Sequence, residues 1–344
     1  MNSRKIRIIE ESFTCHPIKR VALLLSKKNK YNRRMITLTQ HILLPHMSTV
    51  QHILLQDHTS YDPHNTDEHA ILWATNSYPG HAPSDEMTEH AYSEITPRYI
   101  KVQEIQDKRR KTRGEVFTPT WLCNHMNNYA DKNYFNSSNL FNSEDMGSHT
   151  WTETREYEKH SLTERDTYIR LRQLEIACGE APFLVSPYDS NTGALIPLTH
   201  RIGLLDRKLQ WINSTTHSYD EWLELVLTAY HATYGFEYQG DNLLIARLNL
   251  LNTYCDYHVA QWDKMPSIGS METISTIISW NLWQMDGLPN PATLKKHKKQ
   301  STEDTITPRP QHDTHCMIRL WKHTNPQEDT IPFIECETTD DALF

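Results

Sequence analysis

Nothing in the 344 residues of this chain approaches the ~20 consecutive apolar residues that a membrane-spanning helix needs. The strongest short run, Val21-Ala22-Leu23-Leu24-Leu25, is long enough for one buried element only. A signal-peptide pattern is missing from the opening residues, where Glu10 and Glu11 interrupt it and no small-residue cleavage site follows. The six cysteines (Cys15, Cys123, Cys178, Cys255, Cys316, Cys336) form no Cys-x-x-Cys pair, which argues against a disulfide framework and a zinc ribbon. Excess positive charge is lacking as well. A formal charge of -8 excludes a generic polyanion binder. No internal repeat is visible. The expectation is a cytoplasmic protein in a reducing compartment, with no membrane contact and no bound metal.

Hydrophobic residues make up 38% of the chain and charged residues 23%, with a mean hydropathy of -0.67. That is the polar side of globular, and the length suits one large domain or two smaller ones. Basic residues are unevenly placed, in clusters at Lys27–Arg34, Lys108–Arg113 and Lys295–Lys299. Local basic patches on an acidic protein suit a DNA-contacting face. Lys108, Arg109, Arg110, Lys111 and Arg113 are the candidates nearest the motifs described below. Each cluster taken singly also fits a solvated helix end or loop.

Three regions are expected: a mixed N-terminal region over 1–105, a core over 106–290 and a tail over 291–344. Met35–Leu55 has helical apolar spacing in two pieces, broken at Pro45. Asp57–Asp85 reads as loop. Its His58, His64, Asp67 and His69 match no metal-site spacing, so loop polarity is the simpler reading. Tyr99–Arg110 and Trp121–Ala130 read as helices, the second capped by Thr118 or Thr120. Residues 133–164 are Ser-, Asn- and Thr-rich and read as loop. Leu174–Ala177 and Thr233–Tyr238 read as strands. Asp241 is placed to cap a long amphipathic helix through Tyr254, and Ile274–Trp283 reads as a further helix. Met317–Trp321 and Ile331–Ile334 read as a small terminal hairpin.

Strand, tight glycine turn and helix together form the way a doubly wound sheet cradles a nucleotide-like ligand, outside the carboxyl ends of its strands. Gly179 lets backbone approach such a ligand. Glu237, ending the next strand, is placed to accept from a ribose diol. Asp286 is placed to accept from an adenine amino group. Phe117 supplies an apolar face, and Thr118-Pro119 fixes a turn beside it. Cys178 reads equally well as a small buried residue, and Glu175 as a helix cap.

The order of these segments resembles the gamma-type DNA adenine-N6 methyltransferases, the modification subunits of restriction systems. Gly114-Glu115-Val116-Phe117-Thr118-Pro119 is similar to their Gly-x-x-Phe-Thr-Pro segment. Glu175-Ile176-Ala177-Cys178-Gly179-Glu180-Ala181-Pro182-Phe183-Leu184 is similar to their Asp/Glu-Pro-Ala-Cys-Gly-x-Gly-x-Phe-Leu loop. It departs at Ile176, where the family has Pro, and at Ala181, where it usually has Gly. Tyr234–Glu237 followed by Ala246-Arg247-Leu248-Asn249-Leu250 is similar to their Tyr-Gly-x-Glu strand and Ala-Arg-x-Asn-Leu helix. The run Arg109–Pro119 is also shared with short proteins called restriction endonuclease subunit M. The resemblance covers roughly residues 100–290.

It implies an α/β, Rossmann-like, S-adenosyl-L-methionine-dependent methyltransferase core, incomplete or atypical. It implies double-stranded DNA as substrate and cofactor contacts at Phe117, Thr118, Pro119, Glu175, Ala177, Cys178, Gly179, Phe183, Glu237 and Asp286.

The family's reactive tetrapeptide, Asn/Asp/Ser-Pro-Pro-Tyr/Phe, is absent, and Pro-Pro occurs nowhere. The nearest segments, Leu288-Pro289-Asn290-Pro291 and His323-Thr324-Asn325-Pro326, lack the second proline and the aromatic. Residues 287–344 are too few for four more strands with helices and a target-recognition domain, at ~30 residues per βαβ unit. Two expectations follow. Either Met317–Trp321 and Ile331–Ile334 complete the sheet, or the chain is a partial methyltransferase with a partner subunit supplying catalysis or specificity. A catalytically inactive cofactor- or DNA-binding partner is the alternative function. A nuclease reading on Asp189 and Asp206-Arg207-Lys208 ranks below both, with Asp206 expected in a salt bridge or turn.

Overall fold

The computed structural model describes residues 47–59, 68–113, 115, 118–137, 139–286, 292–293, 316–322 and 329–332. For residues 104, 112, 113, 286, 292, 293 and 332 it describes the backbone alone. The chain is mixed α/β and about half helical. In order it runs α1 (Ser48–Leu55), β1 (Gln56–Asp57), β2 (His69–Ala70), α2 (Ala91–Glu94), α3 (Gln103–Arg113), α4 (Thr120–Phe135), β3 (Asn142–Asp145), β4 (Thr150–Glu153) and α5 (Leu162–Arg170). Then follow β5 (Gln173–Ile176), α6 (Leu204–Thr215), α7 (Tyr219–His231), β6 (Thr233–Glu237), α8 (Gly240–Trp262), α9 (Ile268–Asn281), β7 (Leu282–Asp286), β8 (Ala292–Thr293), β9 (Met317–Arg319) and β10 (Thr330–Pro332).

The main sheet has the order β5-β6-β7-β8. β5, β6 and β7 are parallel, with Glu175 opposite Gly235 and Glu237 opposite Gln284. β8 closes one edge antiparallel. Parallel neighbours need long crossovers, and each here contains two helices: α6 and α7 between β5 and β6, α8 and α9 between β6 and β7. β6 is buried at all five positions, as a central parallel strand must be. α8 is buried around most of its circumference and is the central core helix.

The two faces of the sheet are covered differently. One cluster joins Leu282 to the helices and to the N-terminal segment, from Val50 and Leu54 through Trp73 to Tyr92 and Ile95. On the other face Tyr234, Phe236, Trp283 and Met285 pack against Cys316, Ile318 and Leu320. β9 and β10 do pair as an antiparallel hairpin, Ile318 opposite Ile331. The expectation that this tail completes the main sheet is corrected, because the hairpin lies against the sheet's face and forms a separate two-stranded unit.

Several local expectations change. Residues 133–164 hold the β3–β4 hairpin, paired Asn142 to Glu153 through Asp145 to Thr150. They also hold a capping box in which Ser161 and Glu164 exchange hydrogen bonds at the start of α5. Leu282 and Trp283 are strand, not helix. Pro119, not a threonine, occupies the N-cap of α4, and no side chain caps it. Gln239 holds the N-cap position of α8 without a side-chain cap bond, so Asp241 is free for another role. Asp57–Asp85 is largely irregular where described, but His58 stacks on Trp280 with centroids 4.1 Å apart, and burial lowers its pKa to about 3.

The helix expected directly after the glycine turn is split. Leu184 and Val185 both bond back to Ala181 O, beginning a turn. Leu204 N then donates to Phe183 O at 2.8 Å and Leu205 N to Leu184 O at 2.9 Å, so α6 continues that turn across an insertion at residues 186–203. The splice has no room to spare. A Cβ on Gly203 would lie 2.3 Å from Leu184 O. Gly203→Ala is therefore expected to cost about 1–3 kcal/mol by overpacking against backbone, read as a lowered urea midpoint at unchanged m-value.

Candidate functional site

The carboxyl ends of β5 and β6 carry the candidate site. β5 ends at Ile176, and the chain turns through exposed Ala177 to Gly179 at φ 56°. That left-handed backbone favours glycine. Cys178, 1% exposed, anchors the turn by donating its N–H to Phe236 O at 2.7 Å. Burial raises its thiol pKa well above the ordinary value, so the sulfur is a packing atom rather than a nucleophile.

Two carboxylates flank this turn. Glu237 is 7% exposed; its Oε2 accepts from Gly179 N at 2.9 Å and its Oε1 from Gln239 N at 2.9 Å. Burial raises its pKa to about 7 against those two donors. Glu175 is 8% exposed and accepts from Phe183 N at 3.4 Å through Oε1. Its Oε2 is buried without a hydrogen-bond partner. Burial raises the Glu175 pKa well above the carboxylate range, and the nearby Glu237 adds to the rise. Phe183 lies in the turn that α6 continues, so this bond falls at the start of that turn.

The remaining expected contacts are placed as follows. Phe183 is half-buried; its carbonyl accepts from Asn127 Nδ2 and Leu204 N. Thr118 and Pro119 are half-buried, and Thr118 O accepts from Ser190 Oγ at 3.2 Å. The Thr-Pro segment is thus tied to the insertion. Asp286 ends β7, the third parallel strand, so the backbone places Glu175, Glu237 and Asp286 on three successive strands. Phe117 lies outside the described residues.

Of the basic candidates, Lys108, Arg110 and Lys111 lie exposed on α3, and Arg110 pairs with Asp107. Arg109 is corrected. It is 2% exposed and spent on Glu115 (2.5 Å) and Asp241 (3.0 Å), so it presents no guanidinium to a phosphate. The Arg113 side chain is outside what is described.

Arg109 belongs to a buried ion cluster that sequence reasoning missed. Asp241 also takes Lys101 Nζ at 2.9 Å and the Tyr78 hydroxyl at 3.1 Å, and Glu115 takes Asn242 Nδ2 at 3.2 Å. Behind burial and the two backbone donors, Glu115 and Asp241 add a smaller electrostatic rise to the Glu237 pKa. Gln284 was missed too. Its side chain pairs with Leu72 N and O (2.6 and 2.7 Å) and donates to Tyr238 O, clamping the N-terminal segment to β7. An isolated glutamine gives no signal of this in a sequence.

The Ala-Arg-x-Asn-Leu match proves architectural. Arg247 binds four backbone carbonyls, and Asn249 Nδ2 donates to Glu180 O and the Tyr188 hydroxyl, holding the turn after Gly179. The nuclease candidates are architectural as well. Asp206 is fully buried, accepts from Ser186 and faces Arg201 at 3.9 Å; Arg207 pairs with Asp131, and Lys208 donates to Leu171 O.

Among the described residues no helix is long and apolar enough to cross a membrane, and no group of three or more His, Cys, Asp or Glu gathers to hold a metal. No protein-family model matches the chain, and no curated protein or solved structure does either.

Proposed function

We propose that this chain binds S-adenosyl-L-methionine at the turn between β5 and β6, and acts as a DNA adenine-N6 methyltransferase or the modification subunit of one. The observation that carries the reading is the pair of buried carboxylates, Glu175 and Glu237, on either side of the Gly179 turn at the ends of adjacent parallel strands. A buried carboxylate oxygen without a partner, such as Glu175 Oε2, costs free energy unless a ligand donor meets it. A ligand ammonium group supplies such a donor. Glu237, ionised, accepts from a ribose diol. The residues present fit the cofactor, which when bound supplies an activated methyl group. The chain's own part is to exclude water from the two acids and to hold the Gly179 turn open to the ligand through Asn249 and Cys178.

A second reading, a catalytically inactive cofactor- or DNA-binding partner subunit, is favoured by one specific observation. Among the described residues β5 is an edge strand, with nothing paired on the side away from β6. In doubly wound sheets the ligand lies where strands diverge on both sides of the first strand, and Pro-Pro is absent from the chain. Methyl transfer from labelled cofactor to adenine in unmodified DNA separates the two readings.

Calorimetric titration with S-adenosyl-L-methionine tests what they share. Micromolar affinity in the native chain, lost in folded Glu237→Ala, is the expected result; unchanged affinity in the variant would falsify the pocket. Affinity is also expected to rise several-fold between pH 6 and pH 8, as Glu237 ionises near pH 7, and to be flat across that window in Glu237→Gln. Stability runs the other way. The folded pKa of Glu237 lies above the ~4.3 of an unfolded glutamate, so its contribution is fully present below about pH 4 and is lost as pH rises through about 7.

A further inference from the structure

Away from the β5–β6 turn, residues 186–203 do more than interrupt the crossover helix. Together with the start of α4 and the β3–β4 hairpin they enclose a groove of about 370 Å³, lined by Trp121, His149, Trp151, Asp189, Ile196 and His200 among others. That volume is in the range of small-ligand pockets. The lining side chains are held by specific contacts. Trp121 and His149 are stacked, with centroids 3.9 Å apart and planes 4° from parallel. His149 holds φ 56°, an uncommon backbone state for a side-chain-bearing residue, in the β3–β4 turn. The Trp151 indole N–H is already committed to His200 O at 2.8 Å, so further contacts fall to its ring.

Asp189 is the one carboxylate lining the groove. Burial alone would raise its pKa, but hydrogen bonds from Thr192, Thr120 and Asn191 together hold it below the ordinary range. The three loop donors, Asn191 N, Thr192 N and Thr192 Oγ1, all fall on Oδ1, and the Thr120 side chain is a further donor to the carboxylate. The insertion is tied to the candidate site at two points. Ser190 Oγ donates to Thr118 O, and the Tyr188 hydroxyl donates to Glu180, next to Gly179.

Parallel rings form a stack rather than a cage, and a stack is extended by another flat ring. Rings enclosing an organic cation would instead face it from several directions. We propose that this groove takes an amino-bearing nucleobase, adenine or cytosine, extending the Trp121–His149 stack with its exocyclic amine toward Asp189. Its role as the place of an extrahelical target base rests on the methyltransferase reading above; base binding itself rests on the groove alone.

The test is tryptophan-fluorescence titration of the full chain with 9-methyladenine and 1-methylthymine. Saturable quenching is expected at a Kd of ~1 mM or tighter for methyladenine, and about tenfold weaker for methylthymine. Trp121→Ala should weaken binding by roughly 5- to 100-fold, the range base–aromatic stacking spans, and Trp121→Phe should restore most of it. Asp189→Asn keeps the Oδ1 acceptor and should lose the preference for adenine. Trp121→Ala should leave the calorimetric affinity for S-adenosyl-L-methionine unchanged, which separates this groove from the cofactor pocket and keeps failure of one reading distinct from failure of the other. Competition by a duplex with an unpaired adenine assigns the base to nucleic acid, and competition by free nucleotides alone assigns it to a small molecule; either retains the proposal. Absence of saturable binding, binding unaffected by Trp121→Ala in a folded variant, or tetramethylammonium binding in place of the base overturns it.

Discussion

Replacing Arg247 with leucine is expected to remove at least about 4 kcal/mol of folding stability, a large part of the 5–15 kcal/mol typical of a domain. The side chain is fully buried in α8 and has no carboxylate within ion-pair distance among the described residues. It donates to Leu54 O (2.6 Å), Gln56 O (2.9 Å), Ser279 O (3.2 Å) and Leu282 O (2.7 Å). These carbonyls lie near the ends of α1 and α9 and at the starts of β1 and β7, so one guanidinium joins four elements from distant parts of the chain. Burial lowers its pKa to about 10, which leaves it charged at neutral pH. Leucine offers no donor, and each carbonyl left dry costs about 1–3 kcal/mol before relaxation and water entry reduce the sum. Arg247→Lys should fall between, because a compact ammonium cannot span four acceptors. Urea unfolding followed by circular dichroism measures both variants. A leucine variant within about 1 kcal/mol of the native protein would show that the clamp does not hold these elements.

Asp241→Ala is expected to lose about 3–5 kcal/mol, since it leaves buried cations uncompensated. Lys101 and Arg109 both reach this carboxylate, and both side chains are nearly inaccessible (4% and 2% exposed). Arg109 keeps Glu115, whereas Lys101 keeps a 3.5 Å contact with Asn242 and the more distant charge of Glu180. The carboxylate should show itself in the pH dependence as well. Burial opposes its ionisation, but Lys101 and Arg109 outweigh burial and lower its pKa to about 2. An unfolded aspartate titrates near 3.9. The stabilisation is therefore present above about pH 4 and lost as pH falls toward 2, and Asp241→Asn should lack that limb of the acid-unfolding curve. Because Asp241 and Glu115 also raise the Glu237 pKa, the asparagine variant should move the midpoint of cofactor affinity below pH 7.

The elements that position the candidate site were legible where local pattern and burial agree. Leu174–Ala177 and Thr233–Tyr238 became β5 and β6, and the apolar periodicity through Tyr254 became α8. Where the pattern was read alone it failed in physically definite ways. Ile274–Trp283 is one apolar run, yet the helix stops at Asn281 because Asn281 Nδ2 caps Tyr230 O and Thr233 O, and Leu282 enters the sheet beside Gly235. Asp241 has the residue type and position of a helix cap, but two cations from α3 and the segment before it bind its carboxylate. Arg109 sits in a basic run that reads as a surface, and α3 turns that one position inward. The polar stretch at 133–164 hid a hairpin because β3 and β4 are partly exposed and carry no apolar alternation.

The sequence by itself determined the parallel order of acid, glycine turn and acid, since residue type and spacing along a strand are local properties. It also determined what the chain lacks: a run of ~20 apolar residues and a Pro-Pro pair. Only the tertiary structure decided which acids are free to meet a ligand. Glu175 is left with an unpartnered oxygen, Glu237 is shared with two backbone amides, and Asp241 is withdrawn into ion pairs. The reason is that a carboxylate's role is set by its burial and by the donors around it. Those donors come from segments as far apart as Lys101 and Asn242, which only folding brings within 3.5 Å.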